Sequence, residues 1–187
     1  GSYTPFRAAY AAVQKRRATE LSAVLLTHLH RRHLASFSRL SEAVYVRALI
    51  LPEPVTDAER DIRDSLLACA RQRGIPVLTY AAGESVLIGE AEITPQRAYL
   101  ARSTHPALAL RVRTPHGSLS YLGASFIESG LDACAPPDVL ILGAHGPVDK
   151  REYALPSGYA PDTILVRENG KKYAVLPPGA DVREAED

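Results

Sequence analysis

Apolar positions along this chain switch repeatedly between helical and strand-like spacing. "PFRAAYAAVQKRR" (5–17) spaces its apolar residues for a helix, and Pro5 suits a first turn. "SAVLLT" (22–27) is a short continuous apolar run, as in a buried strand. "SFSRLSEAV" (36–44) predicts a short helix capped by Ser36, and "VRALILP" (46–52) a strand stopped by Pro52. Residues 57–74 carry the clearest helix. Asp57 can cap it, acids fill its first turn, Arg71 and Arg73 stand in its last, and Gly74 ends it.

The middle of the chain changes character. "IPVLTY", "SVLIG" and "AEITPQRAYL" are short strands separated by Gly or Pro. "ALALRVRTPHGSLSYLG" predicts a hairpin turning at Pro115-His116-Gly117. "SFIESGLDACA" reads as a helix, "DVLILG" as a buried strand, and "DTILVRENGKKYAVL" as a second hairpin turning at Asn169-Gly170. Residues 146–160 predict a long loop. Strands alternating with helices, then meanders, then a further strand–helix alternation imply a layered α/β fold rather than a simple doubly wound one.

Length and composition narrow the class. The 187 residues fit one domain, 1–187. The opening Gly1-Ser2 resembles a cloning scar, which predicts a domain excised from a larger protein. Net charge is +1, yet residues 1–47 hold eight Lys or Arg against Glu20 and Glu42. That lopsidedness points to an anionic ligand near the N-terminal part, or to solvated helix faces. Cys69 and Cys134 sit in amphipathic stretches and read as buried free thiols. No apolar run reaches the ~20 residues needed to span a bilayer, and no signal peptide is present. The tyrosines are scattered in the sequence, which argues against a stacking platform for single strands.

The candidate chemistry lies in "LLTHLHRRH" (25–33). His28 and His30 alternate at the end of a predicted strand, and His33 follows about one turn later. Three imidazoles at the carboxyl end of a strand can form a metal site, because a catalytic ion needs about three protein ligands and one open position. From spacing alone a metal site and a chance cluster both stay open.

"VLLTHLHRRH" resembles the signature T-H-x-H-x-D-H of the metallo-β-lactamase superfamily. "LALRVRTPHGSLSYLGAS" is similar to the hairpin that ends in L-x-G-D there, and "PDVLILGAHGP" to the strand that leads to an H-H-G-S type motif. The arrangement is most similar to the C-terminal domain of ComEC-type DNA-internalisation proteins of natural transformation. The resemblance covers residues from about Tyr10 to Val175. It implies an αββα sandwich, here without the family's N-terminal strands. It also implies a soluble domain of a bacterial membrane protein, on the extracytoplasmic face, with DNA and the rest of a membrane channel as partners.

The resemblance implies a site as well. In that superfamily two metal ions, often zinc or manganese, share a water that attacks a phosphodiester, thioester or amide. His28 and His30 match first-metal ligands, and His33 and His145 match second-metal ligands. Arg32 stands where the signature has Asp, and Ala124, in "YLGAS", where an Asp bridges both metals. An inward Arg32 about 4 Å from a divalent ion would meet repulsion of order 8 kcal/mol at an effective dielectric near 20. A binuclear centre is then excluded unless Arg32 swings outward. A weak mononuclear site from His28, His30 and a third histidine, the nearer His33 or the distant His105, stays open.

Three functions follow. A degenerate domain of a DNA-uptake protein, a pseudoenzyme with no cofactor, would hold phosphate through Arg31, Arg32, Lys15, Arg16 and Arg17, since guanidinium pairs bidentately with phosphate. An active metal-dependent nuclease or phosphodiesterase would degrade the strand that is not imported. An inert module would dock in a larger assembly.

Overall fold

The computed structural model describes residues 5–81, 83–100, 106–122, 125–126, 136–142, 161–168 and 172–176. The chain divides into two compact units, Gly1–Ala81 and Ala82–Asp187. All three helices among the described residues lie in the first.

Unit 1 runs α1 (Pro5–Lys15), β1 (Glu20–Leu21), β2 (Val24–Leu25), α2 (Arg31–Ala43), β3 (Tyr45–Val46), β4 (Leu49–Pro52), α3 (Asp57–Gln72) and β5 (Val77–Tyr80). Strands β2, β4 and β5 form a parallel sheet in that order, and β1 pairs in parallel with β3. Parallel neighbours need crossovers, and α2 and α3 supply them. β4 is central and buried at every position, as its unbroken apolar sequence requires. Leu49, Leu51, Leu66 and Ala70 are fully buried, and Leu29, Phe37, Val46 and Ile75 close around them.

Three boundaries differ from expectation. Helix α2 begins at Arg31, not after Ser36, because His30 has extended backbone and its side chain caps the helix. Ser36 sits inside the helix, its hydroxyl donating back to the Arg32 carbonyl at 2.8 Å. The apolar run 22–27 forms only a two-residue strand, Val24–Leu25, although the Leu26 N–H still donates to the Ile50 carbonyl of β4 at 3.0 Å. Thr56 rather than Asp57 caps α3, in a reciprocal pair with Glu59.

Unit 2 is a single sheet of strands β6 (Val86–Ile88), β7 (Ala91–Leu100), β8 (Pro106–Thr114), β9 (Gly117–Leu122), β10 (Ser125–Phe126), β11 (Val139–Leu142), β12 (Thr163–Glu168) and β13 (Lys172–Leu176). Its order is β10-β7-β8-β9-β11-β12-β13, with β6 also on β7. Both predicted hairpins form, β8–β9 and β12–β13. The expected helix over 125–135 fails at its start, since Ser125 and Phe126 pair with Leu100 and Tyr99. The strand is favoured there because β7 is long enough to leave that edge unpaired. Residues 127–135, with Cys134, and the loop 146–160 lie outside the described residues. Asp138 staples β11 to β9, accepting from the Ser118 backbone and hydroxyl. Those bonds to the ionised form hold its carboxyl below the usual range.

Candidate functional site at the carboxyl end of β2

The parallel sheet of unit 1 presents its carboxyl ends together, and the histidines follow β2 directly. Tyr80, at the end of β5, donates its hydroxyl to the Leu26 carbonyl at 2.8 Å, so the outer strands are tied beside β4. That bond fixes the backbone immediately before Thr27 and His28. The Thr27 hydroxyl lies 3.2 Å from His28 Nδ1. With Nδ1 held there, His28 Nε2 faces His33 Nε2 at 3.0 Å, the rings edge-to-face with centroids 4.5 Å apart.

His30 is placed differently. Its Nδ1 accepts from the Arg32 backbone N–H at 3.2 Å, and its ring stands 6.4 Å from His28 and 6.2 Å from His33 between centroids. It has become the cap of α2, satisfying an N–H that the helix leaves unpaired. Arg32 reaches the cluster through that backbone group, while its side chain is exposed beside Arg31. The repulsion expected of an inward Arg32 therefore does not apply in this geometry, because Arg32 is exposed.

Two imidazole nitrogens on one zinc ion, at ~2.0–2.1 Å each and tetrahedral, would stand about 3.3–3.4 Å apart. The 3.0 Å separation of His28 and His33 fits an N–H···N hydrogen bond, one ring donating and the other accepting. Among the described residues no three His, Cys, Asp or Glu side chains are grouped to hold a metal ion. Ala124, His145 and His105 lie outside the described residues.

No family model matches the chain, and no curated protein matches it. Solved structures do. A mutant of the β-hydroxylase CmlA shares 16% identity at a TM-score of 0.50, over 66% of this chain and 26% of that one. YhfI from Bacillus subtilis, a metallo-β-lactamase fold protein, shares 17% at 0.47, over 65% and 49%. Zn-bound PqqB from Methylobacterium extorquens shares 18% at 0.48, over 65% and 45%. The chain spans about a quarter to a half of the length of these proteins. The likeness to the CmlA mutant is one of fold, mixed α/β, over about two thirds of this chain, and goes no further toward the competence subfamily. Among the described residues no helix is long and apolar enough to cross a membrane.

The other predicted phosphate contacts are exposed. Lys15 ends α1, and Arg16 and Arg17 follow it. None of these three, nor Arg31 or Arg32, joins an ion pair among the described residues. Thr27 and Tyr80 orient the cluster; the signature match includes Thr27 without a role for it, and Tyr80 stands outside every motif. Thr27 is legible as a neighbour, whereas nothing in the sequence pairs Tyr80 with Leu26. Cys69 is a half-buried free thiol in α3, with the Arg73 guanidinium 2.8 Å from its sulfur.

Proposed function

We propose that unit 1 belongs to a metallo-β-lactamase-like domain of a DNA-uptake protein that holds nucleic acid without cutting it. One observation carries this reading: Arg31 and Arg32 stand exposed in the first turn of α2, which contains no acidic residue. Cations at a helix N-terminus oppose the macrodipole, so their placement costs local stability. A phosphate there would meet two guanidiniums beside a helix end whose Arg32 N–H is already taken by His30. The unit supports the same reading in bulk, with twelve Lys or Arg against seven Asp or Glu over residues 1–81. Arg32 and Ala124 replace the acidic ligands that the resembling superfamily uses, which is why hydrolysis is not part of the reading.

The test is binding of a labelled DNA duplex across a salt series. Affinity should fall linearly with salt on logarithmic axes, and Arg32→Ala should reduce that slope by about one. No binding at low salt sinks the proposal in favour of an inert docking module. Cleavage of DNA in added zinc or manganese, lost in His28→Ala, would replace it with the nuclease reading.

A further inference from the structure

A second surface of unit 1 brings together residues that lie far apart in sequence. Tyr10, Val13, Gln14, Ala18 and Thr19 face Glu42, Val44 and Tyr45 across a groove of about 400 Å³. Tyr45 is 64% exposed on its rim, and its backbone N–H donates to the Thr19 carbonyl at 3.1 Å. Tyr10 lines the same groove and stacks on Phe6, with centroids 5.4 Å apart and planes 14° from parallel. The tyrosines that look scattered in the sequence are therefore partly gathered.

The charged residue lining the groove is the acid Glu42, and three cations stand beside the lining. Glu20 and Glu42 are the nearby acids, and each already has an arginine: Glu20 pairs with Arg47, and Arg73 donates to Glu42 at 2.6 Å. Lys15, Arg16 and Arg17, next to the lining residues Gln14 and Ala18, have no such partner among the described residues. Arg17 adds a separate signal. Its φ is +52°, the left-handed region. It closes α1 with hydrogen bonds from Arg17 N to Gln14 O at 2.9 Å and from Ala18 N to Val13 O at 3.1 Å. Glycine is the ordinary residue at that helix stop, because a side chain there is strained. What arginine adds at that position is an exposed guanidinium, next to two further cations.

We propose that this groove binds single-stranded nucleic acid, with phosphates on Lys15, Arg16 and Arg17 and an unstacked base on Tyr45. The proposal rests on the polyanion reading above and names the form of the strand. A groove of this size, within the ~300–1,000 Å³ of small-ligand pockets, takes a splayed base and not a double helix. Only an unpaired strand offers the face of a base to an aromatic ring, and every base has such a face.

The experiment measures anisotropy of a labelled oligothymidine and of a labelled duplex of equal length, with the full chain at low salt. Tyr45→Ala should weaken oligothymidine binding about tenfold, Tyr45→Phe should retain it, and duplex affinity should hold within about twofold. Arg17→Gly removes the backbone strain, so it should fold at least as stably while weakening oligothymidine binding and lowering its salt slope by about one. Wild-type oligothymidine binding by Tyr45→Ala and Arg17→Gly, with Arg32→Ala still impaired on duplex, overturns the groove and leaves the polyanion reading standing. An equal loss on both nucleic acids in Tyr45→Ala also overturns it. Failure of the unsubstituted chain to bind either nucleic acid overturns both readings.

Discussion

Replacing Tyr80 with phenylalanine removes one oxygen and keeps the ring. The residue is 2% exposed, and its hydroxyl donates to the Leu26 carbonyl at 2.8 Å. Losing that bond leaves a half-buried carbonyl without this donor, at a cost of about 1–2 kcal/mol. Burial pushes the phenol well above its ordinary value. The folded state therefore keeps a proton that the unfolded chain releases near pH ~10. The contribution of Tyr80 is complete below that pH and is lost as pH rises above it, by about 1.4 kcal/mol per unit until the folded phenol itself titrates. Tyr80→Phe has no proton to lose. Its deficit at neutral pH should close by about pH 11 and then reverse, given that slope. Urea unfolding followed by the helical circular dichroism signal reads this unit, since the described helices all lie in it. Equal stability of the two proteins at neutral pH, or a gap that stays constant into alkali, would refute the reasoning.

Two further outcomes test local claims. Thr56→Ala removes the hydroxyl half of the α3 capping box and should cost about 1 kcal/mol in thermal or urea unfolding, with Glu59 left able to bond the cap backbone. Asp138→Asn should flatten the acid limb of stability. The native carboxyl lies below its ordinary range, so its contribution is present above the unfolded value and is lost as pH falls through the folded one. An unchanged acid limb would show that the bonds from Ser118 do not favour the ionised form.

Helix α3 was legible because acidic first turn, basic last turn and Gly74 all agree over sixteen residues, although its cap is Thr56 and not Asp57. The two hairpins were legible because alternation and turn residues coincide. Helix α2 was legible in its middle and misplaced at its start. Histidine is a weak cap signal, and two arginines after it oppose the dipole, so propensity favours Ser36 instead. Burial of Phe37 and Leu40 on the core holds the helix in place, and His30 then satisfies its open end.

The histidine cluster divides in the same way. Spacing alone placed His28, His30 and His33 at the end of a strand, because a two-residue alternation followed by a helical turn is a local property of the chain. It could not assign each ring a partner. Tertiary packing gave His28 and His33 to each other, turned His30 to the helix backbone and left Arg32 exposed. The same limit holds for the groove. The sequence by itself determined that the first unit is basic and that its tyrosines are separated by many residues. Only the docking of α1 beside the end of α2 brought Tyr10 and Tyr45 to one surface next to Arg17. Periodicity constrains which face of an element is apolar, whereas the neighbour that meets the face depends on how crossovers and core volume pack together.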